Sequence, residues 1–260
     1  MAAGTHPAGA GTGRTLALVT GASDGLGRAI ALALAKDGMD LIVVDLRLDM
    51  LEETVRQLRG STPAQVIPVA MDLRDASSLA GRVDSLVAQH GPVGVLINNA
   101  GVALRKPALE VTVTEWDAVL GVNLTGTFFL TQAVARHMIA AGRGGAILNL
   151  SSTYGVVGFA GRSTYGISKG ALVQMTRMLA VEWAAAGVRV NALAPATVET
   201  PSRAPVLADP GLRKVLLDRI PLGRFGTVED VAEAARYLCG PGGAFVTGQT
   251  LLIDGGLTAV

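Results

Sequence analysis

The chain has 260 residues, 50% hydrophobic and 17% charged, which suffices for a large core within a single α/β domain. A formal net charge of +1 gives no long-range field of the kind that gathers nucleic acid or an acidic membrane surface. One cysteine, Cys239, excludes an internal disulfide framework and fits a reducing compartment. No metal-ligand spacing surrounds it, and no uninterrupted apolar run approaches the roughly 18 residues of a membrane span. Residues 1–13, MAAGTHPAGAGTG, lack a basic start followed by an apolar stretch. They read as a flexible tail rather than a signal peptide, which leaves the cytoplasm as the default.

Residues 15–20 form a short apolar run that stops at a glycine, as a buried parallel strand does. Alanine and leucine then recur at helical spacing over 26–36, ended by Gly38. Further strands are predicted at 40–45, 65–71, 93–97, 146–150, 188–193 and 250–253, with helices at 49–58, 76–90, 114–141, 163–186 and 228–238. Pro68 marks the third strand as an edge or irregular one. Seven strands alternating with helices predict an α/β fold. It is a single doubly wound Rossmann-like domain over 14–260, a seven-stranded parallel sheet with helices on both faces.

The turn after the first strand reads Thr-Gly-Ala-Ser-Asp-Gly-Leu-Gly over 20–27. Gly21, Gly25 and Gly27 allow a tight turn and let the backbone and the helix start, with Ser23, Asp24 and Leu26, approach a pyrophosphate. The spacing is weak by itself and gains from its place between strand one and helix one. Asp45, followed by Leu46, ends the second strand, where a carboxylate accepts hydrogen bonds from both adenosine-ribose hydroxyls and repels a 2′-phosphate. Read alone it is equally a strand-end turn residue. With Asp24 nearby, and Arg47 as the one local cation that softens this, NAD is expected rather than NADP. Asp72, with Leu73, either holds the adenine amino group or caps the next helix. Asn98, Asn99, Ala100 and Gly101 follow the fourth strand on the same edge.

Tyr165 and Lys169 stand four apart in a predicted helix, so phenol and ammonium share a face. A cation beside a phenol favours phenolate and brings tyrosine toward a pH where it passes protons. Such a pair alone is also an ordinary surface pair; Ser152, thirteen positions before Tyr165, adds a hydroxyl able to orient the reacting oxygen.

Taken in order, TGASDGLG (20–27), NNAG (98–101), Asn123, Ser152, YGISK (165–169) and the late PLGRFGTVEDVA and GQTLLIDGG segments make the chain resemble the short-chain dehydrogenase/reductase family, in its subgroup of about 250 residues. The resemblance implies a catalytic tetrad at Asn123, Ser152, Tyr165 and Lys169. Tyr165 would be the acid/base, and Ser152 would bind the substrate oxygen. Lys169 would lower the tyrosine pKa and hold the nicotinamide ribose. Asn123 would hold a relaying water, or be simply a polar residue at a helix bend. Four-residue Tyr–Lys spacing disfavours the enoyl reductases of the broader family, and the chain has no room for the longer C-terminal part of the sugar-nucleotide epimerases. Where the family usually has Pro-Gly, this chain has Pro195-Ala196, followed by Val198 and Thr200 at positions that grip the carboxamide. Alanine there disfavours left-handed backbone angles. Oligomers, dimers or tetramers built on the two long helices, are also implied.

Residues 200–225 are long and Pro-rich and are expected to form a lid. Tyr154, Phe159 and Arg162 form another wall, with Arg105, Glu199 and Arg203 at the rim. Arg203 binds a carboxylate or is a solvated loop arginine. A polar rim points to a polyol, sugar or sugar-acid substrate; a 3-oxoacyl thioester on a carrier is the alternative. A cofactor-binding regulator without turnover is the alternative of another class, disfavoured because it has no need of the full Asn-Ser-Tyr-Lys set.

Overall fold

The structure, a computed structural model, describes residues 14–260, so the tail expected over 1–13 lies outside the described residues. Seven strands join in one sheet: β1 Leu16–Thr20, β2 Asp40–Asp45, β3 Val66–Ala70, β4 Val93–Asn98, β5 Gly145–Leu150, β6 Val188–Pro195 and β7 Thr250–Ile253. Every pairing is parallel, in the order β3-β2-β1-β4-β5-β6-β7. The helices are α1 Gly25–Lys36, α2 Glu52–Ser61, α3 Leu79–His90, α4 Val113–Leu120, α5 Thr127–Ala140, α6 Ser163–Trp183, α7 Ala204–Leu207, α8 Pro210–Leu217 and α9 Val228–Cys239. The chain builds outward from β1 to β3 and then crosses to the opposite side of β1 at β4. Loops leaving β1 and β4 therefore diverge and open a crevice at the carboxyl edge of the sheet.

Alternate strand residues feed two cores. Ala17, Val19, Leu41, Val43 and Ile97 pack with α1 and α9, whereas Leu16, Leu18, Ile42, Val44 and Leu96 pack with α3, α5 and α6. With both faces covered, the strands read as unbroken apolar runs instead of alternating ones. Pro68 lies in edge strand β3, where its missing N–H costs no ladder bond on the open side. Cys239 is buried, and that burial pushes its thiol up to about 12, as befits a packing residue.

Three expectations change. The helix expected from residue 76 begins at Leu79, because Asp75 ties down the preceding turn by accepting from Ser77 Oγ at 2.8 Å and Ser78 N at 3.1 Å. The single helix expected over 114–141 is α4 and α5 joined by a π-helical turn, Gly121–Gly126. At Gly126 a side chain would overlap the Leu73 carbonyl. The stretch 200–225, for which no helix is predicted, carries α7 and α8, the latter capped by Asp209 accepting from Gly211 N at 2.8 Å. By length and hydropathy, Val113–Ala140 is apolar enough to cross a membrane (mean hydropathy 1.4 in its best window), which no uninterrupted run in the sequence announced. Half of that window is buried within the protein, where Leu130, Val134 and Met138 pack against the sheet.

Just below the crevice a polar network crosses the core. Asn98 Nδ2 donates to Asn149 Oδ1 at 2.8 Å and to Thr131 Oγ1 at 2.7 Å, and Asn149 Nδ2 donates to Thr176 Oγ1 at 2.9 Å. It ties β4 and β5 to α5 and α6 where no water reaches. Asn149→Ala strips partners from two buried groups, at about 1–3 kcal/mol each. We expect a loss of about 2–4 kcal/mol by urea titration; a loss below about 0.5 kcal/mol would show that the network contributes nothing net.

Candidate active site

The glycine turn is stitched to the β4 loop by a single hydroxyl. Thr20 Oγ1 donates to Ile97 O and accepts from Asn99 N at 3.0 Å and Ala100 N at 3.1 Å. Asn99 Nδ2 returns to Thr20 O and Gly21 O at 3.1 and 2.9 Å. Gly21 has φ +62°, and a Cβ there would stand 2.9 Å from Ala100 Cα, so the two loops meet only because it is glycine. The crevice between them and the ends of β5 and β6 has a volume of about 830 Å³. It takes in most of the predicted site residues from Gly21 to Arg203, but not Gly27, Asn98, Arg105, Asn123, Phe159, Arg162 or Glu199. Gly27 packs behind the turn, where a side chain would overlap the Gly21 carbonyl. Asn123 is fully buried behind Gly101.

At the β2 end, Asp45 accepts from Ser23 N at 3.1 Å and from Leu46 N at 2.8 Å, keeping a free lone pair on each oxygen for a ligand. Arg47 is turned away onto Asp49 at 3.0 Å, and Arg28 donates to Thr54 Oγ1 and the Ser23 carbonyl. Asp72 pairs with Arg74 at 2.6 Å, which holds its carboxyl below the usual range. It bonds Arg74 N as well and caps no helix. The donor set therefore fits a dinucleotide: a backbone turn for phosphates, and carboxylates without a spare cation for a ribose.

At the other end, Ser152 and Ser151 separate. Ser151 Oγ donates to Lys169 O at 2.8 Å within the core, whereas Ser152 lines the crevice and faces Tyr165. Burial pushes the Tyr165 phenol up, while the hydrogen bond from Ser152 and the charges of Arg203 and Arg162 pull it down. Lys169 lies beneath it, Nζ 5.7 Å from the ring centroid and 2.6 Å from Leu150 O. Desolvation alone lowers its pKa to about 8. Asn123, in the π turn, donates to Val102 O at 2.9 Å and Ser168 Oγ at 3.0 Å and accepts from Val102 N at 2.8 Å. A Cβ on Gly101 would stand 3.2 Å from Asn123 Oδ1 and 3.4 Å from Lys169 Nζ, so glycine keeps a small nook open between them.

After β6, Thr200 folds over the glycine turn, its Cγ2 3.3 Å from where a Gly25 Cβ would be. Among the described residues no non-glycine has positive φ, so Ala196 needs no left-handed angle and only adds a methyl to the wall. Its N–H donates to Ile253 O at 3.1 Å. Glu199, expected at the pocket rim, is exposed and held by Arg213. The sequence reading missed Arg219, Leu216 and Leu257 as lining residues. The α8 region closes on itself through Leu207, Leu216, Ile220 and Phe225, packed against Phe159 and Leu257, and this brings Arg219 inward. The amphipathic run LRKVLLDRI was the available signal. Among the described residues no cluster of His, Cys, Asp and Glu side chains is placed to hold a metal ion.

A family model described as "Enoyl-(Acyl carrier protein) reductase" matches residues 21–258. The chain belongs to the short-chain dehydrogenase/reductase family. It is similar to the 3-oxoacyl-acyl-carrier-protein reductase of Thermotoga maritima, 38% identical over 92% of this chain and 96% of the relative. D-threitol dehydrogenase of Mycolicibacterium smegmatis is 39% identical over 94% of this chain and 92% of that one. A solved gluconate 5-dehydrogenase of Burkholderia cenocepacia, in complex with NADP and tartrate, superposes with a TM-score of 0.90 at 33% identity, over 95% of this chain and 96% of that one. The family places the protein among oxidoreductases of CH–OH and carbonyl groups.

The depressed Lys169 pKa has a stability consequence. Between about pH 8 and the unperturbed lysine value near 10.4, the unfolded chain binds a proton the folded one lacks, so this group makes stability rise with pH across that window. Below about 8 its contribution is constant. Lys169→Met removes the rise: urea midpoints of the parent relative to the variant should increase from pH 8 to 10. Parallel profiles would show that the ammonium is not desolvated.

Proposed function

We propose that the protein transfers a hydride between a nicotinamide dinucleotide, NAD in preference, and a secondary alcohol or ketone of polyol, sugar or sugar-acid type. One observation carries this reading: Ser152, Tyr165 and Lys169 line the far end of the same crevice that begins at the Gly21 turn. The nicotinamide supplies the hydride acceptor or donor. In oxidation the alcohol carbon loses a hydride and its hydroxyl a proton, leaving a carbonyl; reduction reverses both. Tyr165 takes or gives that proton. Ser152 Oγ accepts from Tyr154 N at 3.2 Å, and its O–H, otherwise turned to the Tyr165 phenol, donates to the substrate oxygen and stabilises developing charge. Lys169 spends one N–H on Leu150 O and keeps two for the ribose hydroxyls. Asn123 Oδ1 and Lys169 Nζ border the nook over Gly101, the position for a relaying water. A 3-oxoacyl thioester remains the second reading, supported by the similarity to the Thermotoga reductase.

Tyr165→Phe removes the proton donor without removing the ring. We expect kcat to fall about 100-fold or more while the cofactor dissociation constant stays within about threefold. Turnover close to that of the parent would remove Tyr165 from the chemistry.

For the cofactor, Asp45 with its neighbouring cations engaged elsewhere supports NAD. The NADP in the Burkholderia relative argues the other way and makes the comparison worth measuring. Asp45→Ala should raise KM for NAD at least tenfold and leave KM for NADP unchanged or lower. An equal loss for both would refute the assignment to the ribose.

A further inference from the structure

Several arginines of this protein have a carboxylate: Arg47 has Asp49, Arg56 has Glu53, Arg74 has Asp72, Arg213 has Glu199, Arg224 has Asp230, and Arg236 has Asp37 and Glu233. Around Tyr165 four have none. Arg203 and Arg219 line the crevice with Tyr165, Arg162 stands close enough for its charge to act on the Tyr165 phenol, and Arg105 neighbours Arg162; among the described residues none of the four has an acidic side chain in salt-bridge range. Their placement is built in. Lys106 N donates to Gly161 O at 3.0 Å, which fastens the loop carrying Arg105 to the loop carrying Arg162. Arg162 is fixed at the entry of α6 by its carbonyl, which accepts from Gly166 N at 2.7 Å. Arg203 follows the Thr200 turn, donating its N–H to Thr200 O at 3.0 Å. Arg219 lies over the Phe159 ring at 5.1 Å, and Phe159 stacks on Tyr154 at 5.1 Å, which meets Tyr165 edge-on at 6.5 Å.

Two of the four carry an unmet demand. Nε of Arg162 and Nε of Arg203 are buried and have no hydrogen-bond partner. Burial lowers the Arg162 pKa, and the charges of Arg203 and Arg105 push the same way. A buried donor without an acceptor, beside like charges, is costly unless an anion completes it. The acids that line the crevice do not serve. Glu115 is taken by Lys106 at 2.9 Å, and Asp24, Asp45 and Asp72 line the part beside the glycine turn, away from Tyr165. The crevice is thus acidic where an adenosine would lie and basic where a substrate would meet Tyr165.

We propose that the substrate carries its own carboxylate, gripped by Arg162 and Arg203 beside Tyr165, with Arg219 and Arg105 completing a cationic wall. This deepens the dehydrogenase reading above, on which it rests, and selects a hydroxy or oxo acid over a neutral polyol. Arg203 lines the crevice beside Tyr165, and the charges of both guanidinium groups reach the phenol, which puts the anion near the reacting carbon. A phosphate at the far end of a carrier's pantetheine arm would lie much further out. Guanidinium forks suit the two oxygens of a carboxylate.

The test uses matched pairs that differ only in a terminal carboxylate or CH2OH: glycerate and glycerol, threonate and threitol, gluconate and glucitol, with acetoacetyl-CoA as the thioester arm. Two readings are taken: kcat/KM with NAD and NADP, and the shift in melting temperature of the cofactor-loaded protein. At least one acid should exceed its neutral partner about 10–100-fold in kcat/KM, the worth of a charge-assisted hydrogen bond. That acid should raise the melting temperature where its partner does not. Arg162→Gln and Arg203→Gln should each cost the acid about 10–100-fold, chiefly in KM, and abolish its thermal shift. Should Arg203→Gln fold poorly, Arg203→Lys keeps the charge but loses the fork, and should show an intermediate KM. No thermal shift with any acid, neutral partners equal to acids, or preference for acetoacetyl-CoA with KM insensitive to Arg162 and Arg203 would each overturn the proposal. If nothing in the set turns over, the dehydrogenase reading fails, while the thermal shifts still decide whether the arginines bind a carboxylate.

Discussion

Covering both faces of a parallel sheet leaves its carboxyl edge as the place where polar groups can meet a ligand. Every strand ending there delivers its last residues to the same side: Thr20, Asp45, Asn98, Leu150 and Pro195 are strand-end residues of β1, β2, β4, β5 and β6. Because β1 and β4 lead to opposite sides, their loops separate, and the crevice follows from topology before any side chain is chosen. What the side chains add is closeness. Gly21 and Gly27 let two backbones touch, and the Thr20 hydroxyl, with one donor bond and two acceptor bonds, holds them.

The same geometry explains how a lysine is kept in a dry place. Lys169 is nearly inaccessible, and its ammonium rests on the carbonyl that ends β5. That contact sets the height of α6 against the sheet and so places Tyr165 at the crevice. The polar network of Asn98, Asn149, Thr131 and Thr176 does the corresponding work one layer deeper. It joins the strands that carry the catalytic loops to the two helices behind them. One acceptor of this network, Asn98 Oδ1, is buried without a partner, while the bonds through Asn98 Nδ2 and Asn149 hold one arrangement of strands and helices.

Much of this was legible in the sequence, for physical reasons that differ by residue. The β2 and β7 limits read off correctly because buried parallel strands are short apolar runs with sharp ends. Ser152 was preferred only because its thirteen-residue gap to Tyr165 matches the family resemblance, and the structure sends its hydroxyl and that of Ser151 to opposite surroundings. The π turn at Asn123 was not legible, since a one-residue widening leaves the helical periodicity of its neighbours intact. Nor were the helices within 200–225: Asp209-Pro210 is a good helix start, yet a Pro-rich stretch hides it among turn signals. Arg47 was read as a cation near the ribose, but pairing with Asp49 two residues away removes it, a local bond that pattern reading does not rank.

The site thus divides between parts that the chain fixes internally and parts it leaves open. Ser151, Asn123 and the Asn99 amide nitrogen have their hydrogen bonds met by the protein, and Lys169 is anchored on Leu150 O, so the arrangement of the site is set without a ligand. Arg162 and Arg203 do not, and they stand on loop segments flanking the rigid helix rather than within the sheet. A group whose demand is met inside the fold contributes equally to every substrate. One whose demand is unmet contributes only when a ligand that meets it arrives, and in the proposed carboxylate site the orphaned guanidinium groups would carry the discrimination between substrates.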